Sequence, residues 1–275
     1  MIKNIILVSC VMMSANAMAG LSEYASNLDK TTFKFKVGKE NKPGKFNCVT
    51  IAGGSELGNP YFNGQDVVAH KCSEEEKDTQ FYSYINGEIK AVINTFPSTY
   101  VSHDYCIDVD NGIDVPGNKV QLFECNGSKA QKFTPYTTNK DQVVFKTNAK
   151  NCLSISENGA EVRACDLEDN TQLFDAVNPK KMIRVDFYDG AGFNMLGRVE
   201  DKGLRTFYSP KKMMLGQERT VYMPGTSKTI KISGTGLYAG ASTYSKWVDT
   251  KPGEHFRLQS WGTLFNPQYE VSKIL

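Results

Sequence analysis

Short alternations of apolar and polar residues run through the first two thirds of the chain and predict β-strands. In Thr32–Val37 the apolar residues Phe33 and Phe35 fall with Val37 on one face, as in a strand with one buried side. After a turn, Phe46–Ile51 alternates in the same way. Comparable segments follow at 67–72, 88–93, 105–109, 120–125, 142–146, 151–155 and 161–165. No long 3.6-residue periodicity interrupts these segments, so the chain is predicted to be all-β, with about twelve short strands in this part.

Cysteines recur with these segments as three pairs, and each pair is followed by a Gln-x-aromatic triplet. The gap from the second cysteine of a pair to the glutamine is six to eight residues. The members are Cys48 and Cys72 with Gln80-Phe81-Tyr82, Cys106 and Cys125 with Gln131-Lys132-Phe133, and Cys152 and Cys165 with Gln172-Leu173-Phe174. A motif that recurs at the spacing of one supersecondary unit indicates a threefold repeat. Three similar units offer up to three similar shallow binding sites on one frame.

The N-terminal residues have the layout of an export signal. A basic start, an apolar run over Ile5–Ala15 and a small-x-small site at Ala17–Ala19 predict a signal peptide over residues 1–19. The alternative is a lipoprotein site with Cys10 as the lipidated residue, but the apolar stretch before it is short. No later stretch is long and apolar enough for a transmembrane segment. We therefore expect a secreted or periplasmic protein.

Six cysteines remain once Cys10 is removed with the signal, and an even number in an exported chain favours disulfides over metal ligation or a catalytic thiol. Six cysteines permit 15 sets of three bonds, and the repeat selects the set in which each pair closes on itself. Each bond would close a loop of about 13 to 25 residues, for which the loss of chain entropy stabilises the fold by about 3 kcal/mol.

The middle repeat, from Cys106 to Phe133, resembles one repeat of the ricin-B-type β-trefoil lectins. The resemblance rests on Cys-Ile-Asp-Val-Asp from Cys106, Gln-Leu-Phe-Glu-Cys-Asn-Gly up to Gly127, and the Gln-Lys-Phe triplet. It implies a β-trefoil over residues 31–178, preceded by a lead segment over 20–30 that is expected to form a short helix or to remain frayed. The family carries tryptophan in its triplets where this chain has another aromatic residue. That position lies mainly in the core of the fold, so the change bears on packing more than on recognition.

The resemblance also implies where a sugar would bind. In the family, a carboxylate lies two residues after the first cysteine of a repeat and an aromatic residue two before the second. Only the middle repeat has both, in Asp108 and Phe123. Gln121 and Asn126 are placed to line the same hollow, with Gln131 as a buttress. Carboxylate and amide groups would hold the sugar hydroxyls, and the aromatic face would pack on the apolar side of the ring.

Several positions depart from the family pattern or have an alternative structural role. Ala130 stands where the family has an asparagine. The acidic and aromatic positions are Thr50 and His70 in the first repeat and Ser154 and Arg163 in the third. These two repeats are therefore expected not to bind sugars. The carboxylate of the middle repeat has an alternative role as a cap on the 110–112 turn. A glutamine that recurs in every repeat is expected mainly to satisfy backbone groups.

Residues 181–275 lack cysteines and the repeat, and their alternations predict a small β-sandwich-like domain. The segments are 182–187, 205–208, 219–223, 228–232 and 256–261. Lys228–Tyr244 is rich in serine, threonine and glycine, like the membrane-inserting hairpins of pore-forming toxins. Its alternation breaks at Gly234 and Gly240, which favours an ordinary hairpin. The later aromatic residues, expected in the core with a docking patch for a protein partner as the alternative, are Trp247, Trp261, Phe265 and Tyr269.

The remaining features bear on the class of function. A net charge of +2 in 275 residues gives no reason to expect a nucleic-acid partner. The three histidines stand in no metal-binding or nucleophile spacing, so we expect no enzyme, no metal and no cofactor. The leading expectation is a secreted glycan-binding lectin. The layout is also similar to the binding subunits of cytolethal distending toxins, and the alternative is a trefoil with decayed sugar sites that assembles with a partner protein.

Overall fold

The computed structural model describes residues 21–24, 26–42, 45–53, 61–72, 80, 82–92, 104–190, 194–202, 207–208, 213–237, 243–263 and 266–274. The predicted signal peptide over residues 1–19, with Cys10, lies outside these described residues, as do Phe265 and Gly240. No helix in the described part of the chain is long and apolar enough to cross a membrane.

The first body is a sheet of 13 strands. Its strands are β1 (Leu21–Tyr24), β2 (Thr31–Lys42), β3 (Lys45–Ile51), β4 (Gln65–Lys71), β5 (Tyr82–Ile85), β6 (Glu88–Ala91), β7 (Tyr105–Val109), β8 (Lys119–Glu124), β9 (Thr134–Thr138), β10 (Val143–Lys146), β11 (Cys152–Ser156), β12 (Gly159–Arg163) and β13 (Phe174–Lys181). Strands β2 to β13 form three successive sets of four, one for each sequence repeat. The chain is all-β, with a β-trefoil in its N-terminal part, as the repeat predicts.

The three repeats share one strand register around their disulfides. Each first cysteine pairs with the residue two positions before the second cysteine, in the registers Cys48↔His70, Cys106↔Phe123 and Cys152↔Arg163. The bonds Cys48–Cys72, Cys106–Cys125 and Cys152–Cys165 close, with Cα–Cα distances of 4.9, 5.1 and 5.0 Å. The predicted pairing is confirmed. Three disulfides in one chain are typical of proteins that fold outside the cytoplasm.

The triplet aromatics lie in the trefoil core, which confirms their predicted structural role. Tyr82, Phe133 and Phe174 are at most 1% exposed. Phe35 and Phe145 join them, with ring centroids 5.1 Å apart and Phe145 5.8 Å from Phe174. Burial of each such ring stabilises the fold by about 1.5–3 kcal/mol, so the smaller rings still build a continuous core.

The lead segment differs from its prediction. Leu21–Tyr24 is neither helical nor frayed, because it adds the strand β1 to the sheet by antiparallel pairing with β9. A single 3-10 turn, Ser26–Leu28, then leads into β2, and Leu28 is 1% exposed in the trefoil core. The alternation rule missed this strand because it has only four residues.

The second body has two four-stranded sheets, ordered β17-β14-β20-β21 and β16-β15-β18-β19. The strands are β14 (Ile183–Asp189), β15 (Met195–Asp201), β16 (Phe207–Tyr208), β17 (Glu218–Met223), β18 (Thr229–Gly236), β19 (Thr243–Asp249), β20 (His255–Thr263) and β21 (Asn266–Ile274). Side chains of both sheets form one buried cluster that includes Val185, Phe187, Val199, Ile232 and Leu258. This packing of two sheets is the predicted sandwich, but the sequence segments missed β15, β19 and β21.

Two glycines inside the sandwich explain why the apolar and polar pattern did not predict all of its strands. A Cβ on Gly197 would meet the ring of Phe187, and one on Gly234 would lie 2.8 Å from Leu258 Cδ2. Both glycines are therefore inward positions where the opposite sheet approaches closely. The glycine interrupts the apolar pattern but not the strand, because β18 continues through Gly234 to Gly236 and pairs antiparallel with β19, as the predicted hairpin requires.

The two bodies meet through backbone contacts. The Met182 N–H donates to the Lys30 carbonyl at 2.8 Å, and the Gly225 N–H donates to Thr32 Oγ1 at 3.1 Å in a buried position. A Cβ on Gly225 would meet the carbonyl oxygens of Lys180 and Lys181, so this turn sits directly on the end of β13. The strand runs past residue 178, where the trefoil was predicted to end, since β13 pairs with β2 as far as Lys181.

Candidate functional site

The pairing of β7 with β8 brings three predicted site residues together in the middle repeat. Asp108 lies directly opposite Gln121, and Phe123 lies opposite Cys106. Asp108 is 6% exposed and Gln121 is 7% exposed, whereas Phe123 is half-buried. The strand register thus sets a largely buried carboxylate and amide beside an accessible ring.

These residues open into a surface hollow of about 440 Å³. Its lining residues are Asp108, Asp110, Asn111, Gly112, Gln121, Phe123, Asn126, Ser128, Lys129 and Ala130. The structure therefore gathers four of the five predicted site residues at one place. The volume is within the range of about 300–1,000 Å³ that is usual for small-molecule sites.

Gln131 is not part of the lining, because it is fully buried beneath the hollow. Its Oε1 accepts from the Asn126 N–H at 2.8 Å and the Gly127 N–H at 3.3 Å, and its Nε2 donates to the Glu124 carbonyl at 2.9 Å. Gln131 therefore holds the loop after β8 in place. It is a buttress of the hollow, as the sequence suggested.

The same bonding pattern recurs at the other triplet glutamines. Gln172 Oε1 accepts from the Asp166 N–H at 3.0 Å, and its Nε2 donates to the Ala164 carbonyl at 3.1 Å. Gln80 Nε2 donates to the Lys71 carbonyl at 3.0 Å. This confirms the prediction that the repeated glutamine satisfies backbone groups.

The Asp108 carboxyl has an unusual electrostatic environment. Burial raises its pKa above the usual range for aspartate, while hydrogen bonds from Gln131 and Gln121 lower it and the nearby charge of Asp110 raises it again. The same two amides also donate to other acceptors, Gln121 Nε2 to Asp110 at 2.9 Å and Gln131 Nε2 to the Glu124 carbonyl at 2.9 Å. That Asp108 meets a ligand, with a cap on the 110–112 turn as the alternative, stays a prediction.

The turn after β7 supplies lining residues that the sequence did not single out. Asp110 Oδ1 accepts from Gln121 Nε2 at 2.9 Å, so a second carboxylate stands beside the first. Asn111 adopts a left-handed conformation with φ of 53°, which asparagine tolerates better than most residues. The Asp-Asn-Gly sequence was a readable turn signal, but only the fold shows that this turn forms one wall of the hollow.

The loop after β8 forms the opposite wall. Asn126 is exposed, and its Oδ1 accepts from the Ser128 N–H at 2.9 Å. Lys129 and Ala130 complete this wall. Ala130, where the resemblance leads one to expect asparagine, contributes only a methyl group, so the polar groups of this wall come from Asn126, Ser128 and Lys129.

Comparison with known proteins agrees with this geometry. A family model described as the ricin-type beta-trefoil lectin domain matches residues 40–174. Residues 40–174 form a ricin-type β-trefoil lectin domain. The hollow lies within this lectin domain, in its middle repeat. The match describes a lectin domain and no catalytic domain, and no curated protein matches the chain at a significant level.

Solved structures give distant likenesses in fold. A designed threefold symmetric protein, ThreeFoil, is 14% identical, with 54% of this chain and 98% of that chain covered and a TM-score of 0.39. An agglutinin from Abrus precatorius is 16% identical, with coverage of 82% and 78% and a TM-score of 0.38. The membrane-binding domain of pneumolysin is 14% identical, with coverage of 33% and 96% and a TM-score of 0.23.

In the other two repeats of the lectin domain, the positions that correspond to Asp108 and Phe123 form contacts within the protein. Thr50 Oγ1 accepts from Gln80 Nε2 at 3.1 Å in the first repeat. In the third, Ser154 Oγ lies 2.7 Å from Thr171 Oγ1, and Arg163 pairs with acidic neighbours in place of an aromatic residue. That these repeats do not bind sugars stays a prediction.

The described residues contain no group of three or more histidine, cysteine, aspartate or glutamate side chains arranged to hold a metal ion. A polar cluster in the sandwich joins the buried Asp186 to His255 at 2.6 Å, to Arg184 at 2.9 Å and to Thr220 at 2.6 Å. Hydrogen bonds from Thr220, Arg184 and His255 hold the pKa of Asp186 below its usual range despite its burial. These contacts tie β14 to β17 and β20.

Proposed function

We propose that the protein is an exported lectin that binds a glycan through the middle repeat of its trefoil, with residues 1–19 as the export signal. The observation that carries the proposal is the hollow in which the Asp108 carboxylate and the Phe123 ring stand together. The carboxylate would accept hydrogen bonds from two adjacent sugar hydroxyls, and the ring would cover the apolar face of the sugar. Gln121 and Asn126 would fix its orientation.

A panel of immobilised glycans tests this proposal with one substitution in each of two repeats. Phe123→Ala is expected to remove binding, because it deletes the stacking surface. His70→Ala, at the same register position in the first repeat, is the matched control and should bind as the wild-type protein does. Binding unchanged by Phe123→Ala would contradict a glycan site at Phe123. A wild-type protein that binds no glycan of the panel would instead favour the scaffold alternative, in which the trefoil holds a partner protein and its sugar sites have decayed.

Glycan affinity is expected to fall on acidification at a higher pH than for an ordinary aspartate. The carboxylate is the form that accepts two hydroxyl hydrogen bonds, and the pKa of Asp108 is raised above its usual value, so protonation sets in early as the pH drops. Asp110→Asn removes a negative neighbour that raises this pKa, so it should move the midpoint of the loss to lower pH.

Titration calorimetry across the acidic range would measure both midpoints. Asp141→Asn, an exposed residue on a distant turn, should leave the midpoint where it is in the wild-type protein. Equal midpoints for the wild-type and Asp110→Asn proteins would contradict the role given to Asp110.

A second function, contact with a lipid bilayer, is favoured by one end of the C-terminal sandwich. Four large apolar side chains there are exposed: Met214 by 59%, Leu215 by 62%, Leu237 by 42% and Trp261 by 40%. We call these four residues the apolar tip. The exposure of Trp261 corrects the expectation that it is a core residue, and the same correction applies to Trp247, which is 46% exposed.

Backbone contacts show that the segments of the apolar tip lie together. The Leu237 N–H donates to the Asn194 carbonyl at 2.7 Å, and Met195 forms a bridge with Met213. On the other sheet, the Gly190 N–H donates to the Ser260 carbonyl at 3.0 Å. The Gly190 contact is at the ends of β14 and β20 opposite to Ile183 and His255, where β14 begins beside the junction with the lectin domain.

The distribution of charged residues favours a lipid bilayer as the binding partner of the apolar tip. The sequence segments 190–194, 236–243 and 261–266, which connect strands of the sandwich, contain no Asp, Glu, Lys or Arg, and the segment 209–217 between β16 and β17 contains two lysines, Lys211 and Lys212, just before Met213. Protein interfaces usually have a polar rim, whereas side chains that enter the hydrocarbon region of a bilayer are uncharged, because burying a charge there is costly. Tryptophan is enriched at that depth. An exposed apolar cluster without charge therefore fits a lipid surface.

A further inference from the structure

A second hollow, of about 690 Å³, lies where the lectin domain meets the C-terminal sandwich. The lectin domain contributes residues of β5, β6 and the loop after β8, and the sandwich contributes Met182, Pro224 and three residues of β17. We call it the junction cleft. It exists only because both bodies are present, and the backbone contacts of Met182 and Gly225 fix its two walls relative to each other.

The junction cleft combines a fixed carboxylate with an aromatic wall. Glu88 is 7% exposed, and its carboxylate is 2.9 Å from Lys132 Nζ and 3.4 Å from Lys90 Nζ. Tyr222 faces it from β17, with Lys30 Nζ 5.6 Å from the ring centroid. This is a built polar site with the same two kinds of group that characterise the middle-repeat hollow.

The two hollows share one loop. Asn126 and Ser128 line the middle-repeat hollow, whereas Glu124, Cys125 and Gly127 line the junction cleft. Neighbouring residues of this short segment therefore line different hollows. The loop is held by the Gln131 amide and by the Cys106–Cys125 disulfide, so the spacing between the two hollows is fixed.

We propose that the junction cleft binds further sugar units of an uncharged oligosaccharide whose terminal sugar occupies the middle-repeat hollow. The proposal rests on the glycan-binding function proposed above. An uncharged ligand is favoured because carboxylates outnumber cations in both linings, with Asp108 and Asp110 against Lys129 in the hollow and Glu88, Asp104 and Glu124 against Lys90 in the cleft. Tyr222 supplies the surface on which a second ring packs, and the sandwich thereby completes a site that the lectin domain begins.

Titrations of the full chain with paired probes test this inference. The probes are galactose with lactose, and N-acetylglucosamine with triacetylchitotriose, so that each longer probe ends in the matching monosaccharide. The wild-type protein should bind one of the longer probes at least about tenfold more tightly than its terminal sugar. Tyr222→Ala should remove this gain and leave the monosaccharide affinity unchanged, while Tyr222→Phe, which keeps the ring, should retain the gain.

The outcomes separate this inference from the function on which it rests. An equal gain in the wild-type and Tyr222→Ala proteins, or no gain in the wild-type protein, would overturn the junction cleft while leaving the middle-repeat hollow intact. Loss of monosaccharide binding in Asp108→Ala supports the hollow independently. A wild-type protein that binds no sugar of either kind would contradict both proposals. Thermal unfolding of Tyr222→Ala would show whether the loss of the Lys30 contact also loosens the junction.

Discussion

Replacing Asp108 by alanine is expected to lower glycan affinity about a hundredfold while the trefoil stays folded. Two hydrogen bonds from sugar hydroxyls to a carboxylate, each contributing about 1.5 kcal/mol or more, amount to about 3 kcal/mol, which corresponds to that change in the dissociation constant. The strands that carry Asp108 keep their register and their disulfide. Surface plasmon resonance on the best glycan of the panel measures the effect.

Two further variants sharpen the Asp108 experiment. Asp108→Asn keeps the size of the side chain and a carbonyl acceptor but loses the charge, so its affinity should fall between those of the wild-type and alanine proteins. Ser154→Ala changes the corresponding position of the third repeat, where the hydroxyl contacts Thr171, and should leave the affinity unchanged. Equal affinity in the wild-type and Asp108→Ala proteins would remove this carboxylate from the binding site.

The second large effect is expected at the apolar tip. The double variant Leu215→Ser with Trp261→Ser should lower partitioning to neutral phosphatidylcholine vesicles about a hundredfold. Burying one large apolar side chain contributes about 1.5–3 kcal/mol, so losing two removes about 3 kcal/mol or more. Both positions are already exposed, so polar replacements should not destabilise the sandwich. Vesicle flotation with quantified bound fractions measures the change.

Trp247→Ser is the matched control for the apolar tip. Trp247 is equally exposed, but it lies on β19 opposite Lys231, away from the tip, with Lys231 Nζ 5.7 Å from its ring centroid. It should partition like the wild-type protein. An equal loss in the control and the double variant, or no vesicle binding by the wild-type protein, would contradict a specific role of the tip.

The repeat made the trefoil predictable, because its features are local in the sequence. Cysteine pairs, alternation and the triplet glutamine each recur, and they fix the strand register that sets Asp108 opposite Gln121. The repeated glutamine could be recognised as structural for the same reason. The contribution of Asp110 could not be predicted in this way, because it depends on how the turn after β7 folds back toward β8.

The C-terminal sandwich was less predictable because its packing is not local. Gly197 and Gly234 occupy inward positions where the opposite sheet leaves no room for a side chain, so they interrupt the apolar pattern without interrupting the strands. Exposure is also a tertiary property. Trp247 and Trp261 are large apolar residues of a type that is usually buried, and only the positions of β19 and the β20–β21 hairpin show them to be exposed.

Titration with a glycan that the protein binds, followed by backbone amide shifts in NMR spectra, would show directly where the glycan sits. This measurement decides whether the middle repeat of the lectin domain is the glycan site. We expect the largest shifts at Gly112, Asn126 and Ser128, which line the hollow. The corresponding amides of the third repeat, such as Asp166 and Glu168, should remain unchanged. Shifts concentrated in the first or third repeat, with the middle repeat unaffected, would contradict a glycan site in the middle repeat.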